Sequence, residues 1–506
     1  MKKYGKYVIE IVLGILVITM LGMIFLVNIQ HYYYNINADI ASEGILARLI
    51  WESGEWIPST WCIAAETRIF DIANLAALFY GITSNMSISV GLACSVMTCA
   101  IAGSAVYMMR SVKMGMMPIL IFVLLCLALP NNFMMLEVFY LFAAYYSPHI
   151  VVLFLTLGVY ARALDRKITG TGAVITLLLE FMLGMQGVRG ILVIAGPIFA
   201  VEIVRYIYKV YKKEARTQND HYIMGWSFLL MVSGFLGGLF PFSKEQPLSR
   251  NIRKAPQKFI YEVIPDIMKG SGMEDASGIE YIFICFFVVI SVILLLGIIL
   301  KGIKKQNVMP AEWVYLVLIG SPIATAFILA FTTTESTGRY FFVLIIAYAF
   351  AAAYFLTKNK GTAVIIICSI VIMVLNCFKV YMPIFRSPGI ESDSRYQVVS
   401  YLQDKDYNMA YTDFENANTM GIMAEEPLRI AAIDSSAKMN ICKWMTSTDW
   451  YVPNVPFESK TAYIITESRM KDFELFMETH KDDVWFEIQI GGYWIFGSEY
   501  NFSILE

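Results

Sequence analysis

NINADIASEGILARLIWESGEWIPSTW, residues 35–61, follows shortly after the first hydrophobic run, and its reading decides the reading of the chain around it. It carries a carboxylate, Asp39, near its start. Ile45, Leu46, Leu49 and Ile50 then fall on one face at helical spacing. Gly54 is a helix stop, and Pro58 shows that the segment has ended by then. An acid where the chain leaves a bilayer, followed by a helix able to lie along the interface, predicts a reactive centre at a membrane surface.

The bilayer itself is read from composition. Of 506 residues, 58% are hydrophobic and only 16% are charged, with a mean hydropathy of +0.59. A water-soluble protein cannot hide that much apolar surface, so the fold class is a polytopic α-helical membrane protein. Lys and Arg nearly balance Asp and Glu, and nothing points to nucleic acid as a partner. Residues 11–27, preceded by Lys2, Lys3 and Lys6, form the first span and lack a small-residue cleavage site after it. They read as a retained signal anchor. Further apolar runs cover 88–109, 115–129, 150–160, 173–185, 191–208, 223–240, 281–300, 314–331, 340–355 and 363–380. The expectation is about eleven transmembrane helices.

Basic clusters set the orientation. Arg110/Lys113, Arg162/Arg166/Lys167, Lys209/Lys212/Lys213/Arg216, Lys301/Lys304/Lys305 and Lys358/Lys360 all fall on the side of the N-terminus, which the positive-inside rule makes cytoplasmic. Loops 30–87, 130–149, 241–277 and 332–339 then face out, as does the tail. The apolar run 69–83 carries Asp71 and Asn74. Counting it as a span would reverse every later loop, so it is placed on the outer surface or partly immersed there, and 130–149 likewise reads as an outer amphipathic or re-entrant segment. Residues 1–385 read as the membrane domain, and 386–506 as a small extracytoplasmic α/β domain. In that tail, helices are expected at 394–405 and 470–480. Strands are expected at 409–412, 428–433 and 461–465, with a closing hairpin over 484–496.

Candidate chemistry clusters near the outer loops. Asp39 reads either as a general base or as a helix N-cap. Glu66 and Asp71 are candidates for a second acid, set against a solvated interfacial face. Arg189, in QGVRG, suits close approach to an anionic headgroup or marks a tight turn. The loop 241–277 carries Arg253 and Lys254 among six cations on the side where positive charge is unexpected. A phosphate-bearing ligand would account for them, although acidic neighbours partly neutralise the loop. Arg339 and Tyr340, in GRYF, open a late span, where they either reach a lipid phosphate or snorkel. Eight cysteines are scattered singly; Cys62 and Cys442 are the two in polar regions, and no spacing requires them to pair.

With these motifs in place, the chain resembles the GT-C superfamily of integral membrane glycosyltransferases. The resemblance rests on the acid, helix, Gly and Pro-before-Trp order of the 35–61 stretch, on GVRG and GRYF, and on the α/β tail. It implies a sugar donor carried on a polyprenyl phosphate, embedded in membrane lipid, and a glycan, lipid or protein acceptor in the cell envelope. It also implies that Asp39 is the catalytic acid and that Arg339 holds the donor phosphate. The chain departs from the family in having no DxD or ExD pair after the first span, only Asp39 with Glu43 beyond it. A divalent metal (Mg or Mn) is therefore not firmly implied, and a metal-independent inverting transfer is expected. Competing readings are a transporter or lipid flippase, favoured by Glu180 within an apolar run, an envelope polysaccharide polymerase or ligase, and a non-catalytic receptor or scaffold.

Overall fold

The structure is a computed structural model that describes residues 3–63, 68–166, 168–240, 249, 252–273, 276, 278–356, 358, 360–451 and 460–503. Among these, eight helices are long and apolar enough to cross a membrane: Gly5–Gln30, Met86–Ser111, Ser147–Asp165, Ile191–Tyr211, Ile279–Ile303, Pro310–Phe331, Gly338–Leu356 and Ala363–Phe385. The protein is thus a polytopic α-helical membrane protein. Each of the other expected runs also lies on a helix: Met116–Ala128, Gly170–Met185 and Gln218–Gly237. Thirteen residues at about 1.5 Å rise reach about 20 Å, short of a hydrocarbon core of about 30 Å. The helix Met116–Ala128 therefore cannot span one unaided.

The chain divides into two compact units. The first comprises Met1–Phe25, Glu66–Phe70 and Ser95–Pro383. Its helices approach closely through glycine. A Cβ at Gly184 would lie 2.1 Å from the carbonyl oxygen of Gly234, and one at Gly237 equally close to that of Phe181. Only glycine lets helices Gly170–Met185 and Gln218–Gly237 meet this tightly, the usual means of packing helices in lipid. The segment around 130–149, expected as an outer amphipathic or re-entrant piece, is enclosed in this unit, as a re-entrant piece must be. It holds a short helix, Phe133–Phe139, followed by turns in which Tyr140, Leu141, Phe142, Ala143 and Ala144 are all buried. The segment lacks a polar face, so it packs as core.

Charged groups inside this unit follow two patterns. Glu202 is paired: Arg205 donates to both its oxygens at 2.6 and 2.8 Å, and the Tyr160 hydroxyl donates at 3.1 Å. Arg205 also reaches Asp220, which Lys209 grips in turn. Glu180 is fully buried, and neither carboxyl oxygen has a hydrogen-bond partner.

The second unit comprises Leu26–Ala65, Asp71–Cys94 and Ile384–Glu506. It joins the 35–61 stretch to the tail. The tail carries a six-stranded sheet in the order β3-β2-β1-β4-β6-β5, formed by β1 (Met409–Thr412), β2 (Arg429–Ser435), β3 (Asn440–Ile441), β4 (Thr461–Thr466), β5 (Val484–Ile490) and β6 (Tyr493–Ser498). β1 runs parallel to β2 and β4, and the remaining pairs are antiparallel. Tyr411, Ile433, Tyr463, Phe473, Phe476 and Phe496 build its core. The expected tail elements are present; the helix Phe414–Gly421 and the short β3 are additional.

Within this unit the 35–61 stretch forms the helix Ala38–Ser53. Gly54 ends it at φ 69°, its N–H returning to the carbonyl of Ile50. The helix is mostly enclosed by protein, with Ala41, Ser42, Glu43, Gly44, Ala47 and Arg48 buried as well as Ile45 and Ile50. The tail accounts for this. Gly44 lies under Ile422, and Ile45 packs on Gly421. Arg48 pairs with Glu52 at 2.6 Å and with Glu426 at 3.0 Å. The run 69–83 becomes the helix Ile72–Thr83, packed in the same unit, with Trp51 stacked over Gly81. Cys62 and Cys442 are both free thiols.

Candidate active site

In the second unit, Asp39 stands in the first turn of the helix Ala38–Ser53, and its side chain is exposed. It is not the N-cap. Asn37 holds that position, its side chain accepting the Ile40 N–H at 2.9 Å. Asn37 has the extended backbone a cap requires, whereas Asp39 already lies inside the helix. The structural role that competed for Asp39 is therefore filled by another residue. Its carboxylate is left in solvent at the positive end of a helix, where negative charge is favoured.

The tail surrounds this turn with polar groups. Glu415, one residue into the helix Phe414–Gly421, accepts the Ala38 N–H with both oxygens at 3.2 and 3.3 Å. Burial raises the Glu415 pKa. The Ala38 N–H and Arg395 oppose that rise, and the Asp39 and Asp413 carboxylates add to it. Arg395 is clamped by Asp393 at 2.6 Å. Tyr493 on β6 donates to Asn416, which donates to Asp413. Of the second-acid candidates, Glu66 lies outside the described residues. Asp71 is buried at the start of the helix Ile72–Thr83, with Glu43 and Cys94 as neighbours.

In the first unit, three segments bring cations together. The Arg189 guanidinium lies 4.1 Å from the ring centroid of Tyr146 and 5.4 Å from that of Tyr340. Arg339 lies 5.9 Å from the Tyr340 ring, with Tyr145, Tyr146 and Arg189 also in its field. Aromatic faces attract such cations. The Arg339 Nε is nevertheless buried with no hydrogen-bond partner. His149, fully buried against Tyr146, has Arg189 and Arg68 as neighbours and neither ring nitrogen hydrogen-bonded. Like charges gathered with unfilled donors suit an anion, because a buried donor without an acceptor is costly. Tyr146 and His149 were not singled out from the sequence, although YYSPH at the start of a span carried the signal.

Arg253 and Lys254 do not join this cluster. They are exposed on a turn that leads into an apolar groove of about 550 Å³, lined by Ile252, Ala255, Phe259, Pro322, Phe327 and Leu344 among others. Another cation of that loop, Lys258, is buried and donates to the carbonyls of Thr332 and Thr334. It anchors the loop that runs on to Arg339. Gly270 meets Gly338 so closely that a Cβ would sit 2.5 Å from the Gly338 carbonyl oxygen. Leu344, on the wall of the groove, follows Tyr340 by four residues on the chain. Among the described residues, no three His, Cys, Asp or Glu side chains gather so as to hold a metal ion.

A bundle of long apolar helices with a sheet-bearing C-terminal domain is a fold that this chain shares with a solved membrane protein. A solved structure with this fold is that of ArnT from Cupriavidus metallidurans bound to undecaprenyl phosphate. It matches with a TM-score of 0.58 and 11% sequence identity, over 97% of this chain and 99% of that one. No protein-family model and no curated protein sequence matches the chain.

Proposed function

We propose that the protein is a membrane glycosyltransferase that moves a sugar from a polyprenyl-phosphate donor to a cell-envelope acceptor on the outer face of the membrane. The observation that carries this reading is the Arg189–Arg339–Tyr340 cluster, with its unfilled Nε donor, in a unit that also holds an apolar groove. A phosphate on a long hydrocarbon chain needs both features. The fold shared with ArnT, a protein solved with undecaprenyl phosphate bound, supports it. In this reading Asp39 takes the proton of the acceptor hydroxyl. The acceptor oxygen attacks the anomeric carbon as the bond from that carbon to the phosphate oxygen breaks, with inversion. The electron pair leaves with the lipid phosphate, and Arg189 and Arg339 balance its growing charge. Arg253 and Lys254 would meet the phosphate as it enters along the groove. The N-terminus is assigned to the cytoplasm and the tail to the outside.

The test is transfer of radiolabelled sugar from membranes containing polyprenyl-phosphate sugars, comparing native protein with Asp39→Asn at matched expression. Loss of protein-dependent transfer in the variant supports the assignment. Transfer that survives the substitution removes Asp39 as the base. A second reading, a transporter or flippase, is favoured by one feature, the buried and unbonded Glu180 carboxyl. It requires Glu180→Gln to abolish lipid or solute movement while sparing sugar transfer.

A further inference from the structure

The assignment of Asp39 as a base leaves open what holds it in place. Its helix turn already has a cap in Asn37, yet a second acceptor arrives from 377 residues away, as Glu415 takes the Ala38 N–H with both carboxylate oxygens. That N–H belongs to the residue directly before Asp39. The contact brings Glu415 into the field of two other carboxylates, Asp39 and Asp413, with Arg395 as the cation facing it. A carboxylate placed among like charges is unfavourable unless something specific is gained. The specific gain is the grip on an otherwise free first-turn amide.

Glu415 sits on a hydrogen-bonded support. Its helix, Phe414–Gly421, begins directly after β1 and is N-capped by Asp413. Thr419 bonds back to the Glu415 carbonyl, and Asn416 is held by Tyr493 of β6. Arg395 faces Glu415 from the helix Ser394–Asp404, itself fixed by Asp393. The Asp39 turn is thereby tied to a strand and two helices of the tail.

Resting on the reading of Asp39 as the base, we infer that Glu415 is its positioning residue: by binding the Ala38 amide, the C-terminal domain sets the placement of the catalytic carboxylate. The tail is then part of the active-site machinery and not solely a module for recognising an acceptor.

The test uses the full-length protein in lipid nanodiscs, with Glu415→Ala and Glu415→Gln. The glutamine keeps an acceptor oxygen and discards the charge; the alanine discards both. In the transfer assay with radiolabelled polyprenyl-phosphate sugars, Glu415→Ala lowers kcat by about 10- to 100-fold with KM for the donor unchanged. That is the loss expected when a reacting group shifts by about 1 Å. Glu415→Gln recovers most of it, and Glu415→Ala adds nothing further in an Asp39→Asn background. Independently of activity, hydrogen exchange over residues 36–45 rises in Glu415→Ala and stays native in Glu415→Gln. Native kcat in Glu415→Ala, when Asp39→Asn is inactive, overturns the positioning role and leaves the base assignment standing. Full activity in Asp39→Asn removes the base assignment itself. Unchanged exchange over 36–45 in Glu415→Ala overturns the inference even where no donor supports transfer.

Discussion

Replacing Arg339 with alanine removes a guanidinium whose Nε is buried without a protein acceptor. If a lipid phosphate supplies that acceptor, the variant loses at least one charge-assisted hydrogen bond, worth about 1.5–3 kcal/mol. At about 1.4 kcal/mol per tenfold, this weakens undecaprenyl phosphate binding by roughly 10- to 100-fold. Arg189 stays in place, held 4.1 Å over Tyr146, so binding is reduced and not abolished. Arg339→Lys restores the charge but not the planar donor at Nε, and recovers only part of the loss. Radiolabelled undecaprenyl phosphate titrated into the purified protein measures the effect. Arg166→Ala serves as control, since that side chain is 84% exposed and pairs only loosely with Asp165 at 3.8 Å. Native affinity in both Arg339→Ala and Arg189→Ala would refute the assignment of the cluster to a phosphate.

Gly184→Ala places a methyl group 2.1 Å from the carbonyl oxygen of Gly234. It should destabilise the protein by about 1–3 kcal/mol, read as a lowered Tm, while Gly225→Ala, with nothing within 4 Å of its Cβ, leaves Tm unchanged. Glu180→Met replaces a buried carboxyl without partners by an apolar side chain, and should raise Tm while preserving the fold; a lowered Tm would show that the carboxyl makes a stabilising interaction. Glu487 accepts hydrogen bonds from Trp485, Tyr401 and Tyr407. The Trp485 indole, against partial burial and together with the two tyrosines, holds its pKa below the ordinary range. Its stabilisation is therefore complete above the unfolded carboxylate value of about 4.3 and is lost as pH falls through the lower folded-state value. Protection of β5 against hydrogen exchange should drop on acidification in the native protein, and drop less in Glu487→Gln.

The local features of this chain were legible without a structure because they depend on neighbours in sequence. Unbroken apolar runs mark helices, since a bilayer leaves no other way to satisfy backbone groups. Strand alternation marked most of the tail, and Gly54 marked a helix end. Arg189, Arg339 and Tyr340 were noticed through GVRG and GRYF at span ends, where a tight turn or a snorkelling side chain would look the same. What was missed is non-local. Nothing near Asp39 discloses that Asn37 performs the capping. Nothing near residue 415 discloses that its carboxylate holds the amide of residue 38. Glu180 and Glu202 read alike in sequence, each a lone acid in an apolar run. Only the packed structure distinguishes them, because the Arg205 and Tyr160 side chains reach one and no side chain bonds the other. The sequence by itself determined a polytopic helical membrane protein with an α/β tail, since hydropathy and periodicity are properties of contiguous residues. The tertiary structure alone decided which charges meet, because a hydrogen bond or ion pair forms between side chains that folding brings within about 3 Å, whatever their separation along the chain.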